Sequence, residues 1–236
     1  MSQFLQMLVL TWFAGFASFV GSLIAKYEGA AESEGKPELI HGVVAFGGGI
    51  LVAAVAFALV PEGMTYLSPT GLAIAFGLGG VAFCIVDAKL SKSGGSKAQF
   101  LAMLMDFVPE ALALGALFRH NHRTAILLAI FIGAQNLPEG FNAYREVTGA
   151  GIKPRHALTV LFAVSFLGPA SALLGYLLLQ NAPVITASIM SFAGGGILYL
   201  IFQDIAPQSH MQRHWAPPLG AVFGFLVGMI GKQIIG

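Results

Sequence analysis

Apolar runs of about 20 residues, separated by short polar clusters, recur along the whole chain. A helix needs roughly 20 apolar residues to cross a bilayer. On that ruler the pattern predicts eight spans: 4–26, 40–61, 71–89, 99–118, 123–146, 157–180, 184–206 and 216–235. The connections are short. The longest polar ones are 27–39, Glu-rich with Gly35 and Pro37, and 90–98, which reads Leu-Ser-Lys-Ser-Gly-Gly-Ser-Lys-Ala. No stretch reads as a soluble domain, so residues 1–236 are expected to form one transmembrane unit. The first run, Phe4 to Ile24, lacks a basic leader and is expected to be a retained helix rather than a cleaved signal.

Composition strengthens this expectation of an all-α polytopic membrane protein. The chain is 56% hydrophobic and only 10% charged, where a soluble domain carries about 25% charged residues. A net charge of +1 gives no sign of a nucleic-acid partner. Cys84 is the one cysteine, which excludes an internal disulfide and a multi-thiolate metal site; it reads as a small buried hydrophobe. Basic residues set orientation. The first, third, fifth and seventh loops with their flanks hold Lys26, Lys36, Lys89, Lys92, Lys97, Arg145, Lys153, Arg155 and Arg213, against Arg119, Arg123 and Lys232 on the other side. The odd loops are therefore expected in the cytoplasm and both termini outside, in a cell (inner) membrane.

An internal repeat is visible. Gly47-Gly48-Gly49-Ile50-Leu51 recurs as Gly194-Gly195-Gly196-Ile197-Leu198, and each is followed by a proline, Pro61 and Pro207. If spans one to three match spans six to eight, the arrangement is 3+2+3. The two units are then inverted in the membrane, because the sixth span enters from the side opposite the first. Inverted repeats are a transporter signature, with substrate bound near the midplane.

The two spans between the repeats carry the chemistry. One reads Asp106-Phe107-Val108-Pro109-Glu110, the other Gln135-Asn136-Leu137-Pro138-Glu139-Gly140. Positions i and i+4 share a helix face, so Asp106 pairs with Glu110 and Gln135 with Glu139. Each proline also leaves the carbonyl of the preceding turn without its helical donor. A charge at the bilayer centre costs at least about 2.5 kcal/mol unless it is paired, solvated or bound to a cation. The short turn from Arg119 to Arg123 makes the two spans antiparallel neighbours. Both motifs lie about 10 to 15 residues from that turn, hence at one depth. Asp106, Glu110, Gln135 and Glu139 are expected to converge, with Asn136 at the edge. Hard oxygen donors suit Mg²⁺, Mn²⁺ and Ca²⁺, and carboxylates also bind zinc and ferrous iron. Three crowded carboxylates cannot all carry charge without a cation, so an arriving metal ion is expected to displace a proton.

Paired Pro-Glu motifs on the fourth and fifth of eight helices resemble the ZIP family of divalent-metal transporters. Gln135-Asn136-Leu137-Pro138-Glu139-Gly140 is similar to that family's fifth-helix motif. Asp106-Phe107-Val108-Pro109-Glu110 departs from the fourth, with Asp in place of a His ligand and Phe in place of Asn. The similarity extends to Leu59-Val60-Pro61-Glu62, to Val86-Asp87 and to the stretch from Ala193 to Gln208. The resemblance implies a primary site on Asp106, Glu110, Gln135 and Glu139, and a bridged second site using Asn136, Glu110 and Glu139. Phe107 cannot ligate, and Phe166-Leu167-Gly168-Pro169 lacks the Glu that relatives often place there, so one metal is expected rather than two. No ligand is expected from the second helix around Ala58. The resemblance further implies a transport bundle of helices one, four, five and six, and a scaffold of two, three, seven and eight, often homodimeric, with the glycine triplets at the sliding contact. The cargo is then a divalent metal ion (Zn, Mn, Fe, Co or Cd), with no cofactor and lipid as the surroundings.

Other polar groups have plainer readings. Gln203 and Asp204 sit where an exit path would run, or simply at the interface. His120 and His122, on the outer side, are placed to collect metal before entry, but the plainer reading of these two, and of His210 and His214 on the cytoplasmic side, is solvated loop histidines. Glu28, Glu32, Glu34 and Glu38 read as a soluble loop, and Glu62 as an interfacial charge. Two competitors differ in class: an intramembrane aspartyl hydrolase using Asp106 and Asp204, and a proton-coupled carrier of a small organic cation. The first leaves Glu110 and Glu139 unexplained. The second lacks an aromatic cage near the motifs.

Overall fold

The computed structural model describes residues 2–29, 36–92, 98–209, 211 and 215–235, and their side chains except at 90–92 and 98–102. Glu32, Glu34, Lys97, His210, Arg213 and His214 therefore lie outside the described residues or side chains. All regular structure among the described residues is helical. The helices are α1 (Gln3–Glu28), α2 (Lys36–Tyr66), α3 (Pro69–Lys92), α4 (Ala98–His120), α5 (His122–Gly149), α6 (Pro154–Leu178), α7 (Pro183–Ser209) and α8 (Ala216–Ile235). Seven of them, all but α4, are long and apolar enough to cross a membrane among the described residues. The 23 residues of α4 reach about 35 Å at 1.5 Å per residue.

Prolines shape three of these helices. Residues Val55–Leu59 of α2 and Ile201–Ile205 of α7 form π turns just ahead of Pro61 and Pro207. A wider turn reroutes the carbonyls that a proline cannot serve. This is why α2 runs on to Tyr66, past the expected end at residue 61. In α6, the amides of Ser165 and Phe166 bond three residues back, to Phe162 and Ala163 (both 3.1 Å), and this tightened turn precedes Pro169.

Packing depends on glycine. The most extensive contacts join α1 to α5, α2 to α8, α3 to α7 and α4 to α6. At the first of these seams, a Cβ on Gly21 would lie 1.9 Å from the Leu137 carbonyl oxygen, and one on Gly140 2.0 Å from that of Ser18. The same reciprocal approach recurs at Gly49 and Gly224, Gly79 and Gly195, and Gly115 and Gly175. Small residues let membrane helices close to backbone contact, where lipid supplies no hydrophobic drive between them. Within the glycine triplets, Gly47 faces a motif helix, against Pro138, while Gly48 meets Ile205 of α7 and Gly196 meets Phe83 of α3.

Helices α2, α5 and α7 are central, with 67%, 61% and 61% of their apolar windows buried, against 11% for α3 and α8. Cys84 lies exposed on α3, not buried as its residue type suggested, because α3 turns most of its surface outward. At the end where α1 and α5 finish and α2 begins, Glu28 pairs with Lys36 (2.9 Å) and Arg145 (2.7 Å). This acid thus ties three helices together rather than belonging to a solvated loop. A methyl group at Gly21 has no room, and overpacking costs typically 1–3 kcal/mol. Gly21→Ala is expected to lower the thermal midpoint in detergent clearly, whereas Gly149→Ala, with nothing within 4 Å of its Cβ, leaves it unchanged.

Candidate metal site

The two motifs meet as their spacing requires. Both prolines are retained inside their helices, Pro109 in α4 and Pro138 in α5. Asp106, Glu110, Gln135 and Asn136 are 3%, 0%, 0% and 1% exposed, and Glu139 is half-buried. The Gln135 amide Nε2 donates to Glu110 Oε2 at 2.8 Å, joining α4 to α5. Asp106 Oδ1 accepts from the Phe107 backbone N–H at 2.7 Å. Asn136 Nδ2 donates to the Ala14 carbonyl of α1 at 2.9 Å, which fixes the amide and turns its oxygen away from that bond.

What remains is a set of oxygen atoms without partners. Glu110 Oε1, Gln135 Oε1, Asn136 Oδ1 and Glu139 Oε2 are all buried and none has a hydrogen bond. Buried polar atoms are nearly always paired, and an orphan costs about 1–3 kcal/mol, more for a charged group. Four such atoms in two adjacent motifs form a donor set of hard oxygens, the chemistry that binds divalent cations. Among the described residues no three His, Cys, Asp or Glu side chains are already gathered at ligating distance.

A cavity of about 40 Å³ leads away from the motifs. Its polar lining is Asp106, Glu139, Asn142, Asp204 and Gln208, and apolar walls come from α2 and α7. Gln208 is exposed, so the cavity reaches the helix end shared by α7 and the start of α2, where the His41 ring contacts the Gln208 carbonyl. Asp204, inside the π turn of α7, lines the cavity, while Gln203 is exposed and does not. Asn142 and Gln208 were not foreseen. Asn142 lies three residues after Glu139, one helical turn along the same face, which is a signal the sequence does contain. From α2, Val44, Gly47, Gly48 and Leu51 line the cavity.

Two further groups depart from expectation. Glu62 is 8% exposed, not an interfacial charge, because α2 continues past it. His122 lies edge-on to Phe118, ring centroids 4.9 Å apart, while His120 is exposed as a loop histidine should be.

Apolar helices of membrane-crossing length around a buried polar site define an integral membrane protein. Residues 98–235, more than half of the chain, match the family described as ZIP zinc transporter, and the protein belongs to that family. The match takes in both motif helices and α6 to α8. A curated relative, the zinc transporter GufA of Myxococcus xanthus, is 29% identical over 140 residues, covering 58% of this chain and 54% of the relative. The chain thus aligns with about half the length of that relative. Asn136→Ala is expected to cost about 1–3 kcal/mol by leaving the Ala14 carbonyl short of a donor, read as a lower thermal midpoint than that of the unsubstituted protein in detergent.

Proposed function

We propose that this protein carries a divalent transition-metal ion across the membrane into the cytoplasm by alternating access. The observation that carries the reading is the set of four buried, unpartnered oxygens on Glu110, Gln135, Asn136 and Glu139. A metal ion supplies what these atoms lack. Asp106, Glu110, Gln135 and Glu139 are the proposed ligands, with Asn136 behind them, held to α1 by its own hydrogen bond. The zinc transport named for the GufA relative and the family membership support metal as cargo. Asp106 stands where relatives use histidine, so this site is harder and its preference moves from zinc toward manganese or ferrous iron.

The proposed architecture has eight spans, α1 to α8, with α1–α3 and α6–α8 as inverted repeats. Support comes from the pairing itself. Exchanging one repeat for the other, with α4 for α5, turns the α1–α5 seam into α6–α4 and the α2–α8 seam into α7–α3, and all four seams are present. The two π turns also fall at matching places after the glycine triplets. With the lysine-rich ends in the cytoplasm, the cavity past Asn142 and Asp204 faces inward. The other half is closed by Leu114, Leu117, Phe118, Leu128 and Ile132, each at most 2% exposed. This is an inward-facing state, and Asp204 is the first carboxylate on the way out. The weakly buried α3 and α8 would meet lipid or a second copy in a homodimer.

One ion per site is the proposed stoichiometry. Phe107 is 2% exposed, and its ring tip lies 2.9 Å from where a Cβ would stand on Gly15 of α1 or Gly168 of α6. The ring fills the space between those helices with hydrocarbon. The hydrolase alternative has one point in favour, since Asp106 and Asp204 line the same cavity. It leaves the orphan oxygens of Glu110 and Glu139 without a use.

Uptake into proteoliposomes tests the reading, with Zn, Mn, Fe, Co and Cd compared. Glu110→Ala and Glu139→Ala are each expected to abolish uptake while the protein stays monodisperse; full uptake by either refutes the site. Asp106→His is expected to move preference toward zinc by about tenfold, the effect of roughly 1.4 kcal/mol. Unchanged selectivity would remove Asp106 from the ligand set.

A further inference from the structure

Where α1 and α5 end and α6 begins lies a cavity of about 520 Å³ that metal transport does not use. Its walls include Lys26 and Gly29 at the end of α1, Tyr144 and Arg145 on α5, and Pro154 at the start of α6. Two of the lining side chains are cations and none is an acid. The acids nearby are already engaged. Glu28 is held by Lys36 at 2.9 Å and by Arg145 at 2.7 Å. Glu146, beside Arg145 in the chain, has a partner of its own and does not line the cavity.

The two cations still have donors to give. Arg145 donates to Glu28 through Nη1, and a guanidinium carries five N–H groups. Its central carbon lies 5.8 Å from the Phe141 ring centroid, so ion pair and ring together hold the fork in place. Lys26 is exposed and forms no ion pair among the described residues. Pro154 brings the start of α6 to the edge of the cavity, where Lys153 supplies no side-chain cap. The positive end of that helix adds to the field.

Depth decides which anion this place meets. Ten residues along α5 separate Gln135 from Arg145, about 15 Å at 1.5 Å per residue. Hydrocarbon reaches about 15 Å to either side of the bilayer midplane. With the Pro-Glu motifs near that midplane, Arg145 stands at head-group level. Tyr27, beside Lys26 and 84% exposed, is a residue type enriched at that level. The anions concentrated there are lipid phosphates, which basic pockets between helix ends on the cytoplasmic side recognise.

We propose that this cavity binds the head-group phosphate of an anionic phospholipid, with Lys26 and Arg145 on the phosphate oxygens. The lipid then bridges the ends of α1 and α5 beside the start of α6. The site concerns the membrane rather than the cargo, and stands whatever ion the core site carries.

Native mass spectrometry of the full chain in detergent tests this, with phosphatidylglycerol and phosphatidylcholine of identical acyl chains as competing probes. The wild-type chain is expected to retain one phosphatidylglycerol in preference to phosphatidylcholine. Lys26→Gln is expected to lower that preference about fivefold, and Lys26→Arg to keep it. Arg145→Gln is expected to lower it too. Lys26→Gln breaks no ion pair among the described residues, so it keeps the test decisive if Arg145→Gln fails to fold. Lys232→Gln, in the last turn of α8, is expected to change nothing. Equal retention of the two lipids, a preference indifferent to Lys26→Gln, or an equal loss in Lys232→Gln overturns the proposal. Inorganic phosphate separates a lipid from a soluble anion. If phosphate alone raises the thermal midpoint as much as phosphatidylglycerol does, and Lys26→Gln removes that effect, the cavity serves the free anion and the lipid site is refuted.

Discussion

Oxygen atoms held away from water without a partner are the constraint on which this structure turns. A carboxylate in hydrocarbon demands a cation, a proton or a donor. Here Gln135 supplies one donor to Glu110, the backbone supplies one to Asp106, and four oxygens receive none. Such an arrangement is poor design for stability alone. A closed network in which each amide satisfied a carboxylate would be cheaper, and the same residue types could have built it. On the proposed reading, the free lone pairs are what a metal ion would take in exchange for its hydration shell.

The rest of the fold keeps those atoms dry and aligned. Glycines at the four helix seams bring backbones into contact, so α5 can lie between α1, α2 and α4. Asn136 shows the same economy in a polar group, since one amide both pins α5 to α1 and leaves its oxygen beside the motif. Prolines make the opposite contribution. They loosen α2 and α7 into π turns, and Asp204, in the α7 turn, lines the cavity.

Much of this could be read from the chain. Apolar periodicity gave the helices to within a few residues, and the placing of the two Pro-Glu motifs at one depth on neighbouring helices anticipated the contact of Gln135 with Glu110. The errors have physical causes. Glu62 looked interfacial because a proline was taken to end α2, whereas the π turn ahead of Pro61 lets the helix continue. Cys84 looked buried because residue type says nothing about which face of a peripheral helix it occupies. Gln203 and Asp204 are adjacent in sequence, yet only one lines the cavity, and a one-residue difference in facing is beyond any span prediction. Glu28 looked solvated because its partners, Lys36 and Arg145, come together only when α1, α2 and α5 have packed.

On the proposed reading, the altered half of the site bears on which metal is selected. Asp106 replaces nitrogen with oxygen, and Phe107 puts a ring between Gly15 and Gly168 where a further polar ligand could have stood. Both changes point to a single ion in a shell of oxygens. X-ray absorption spectroscopy of the chain loaded with Mn²⁺ or Zn²⁺ addresses this claim directly, in a variant stripped of the loop histidines. The account predicts one ion per chain in an oxygen-only first shell that is lost in Glu110→Gln. A shell containing imidazole nitrogen, a metal–metal distance, or no bound ion would contradict it.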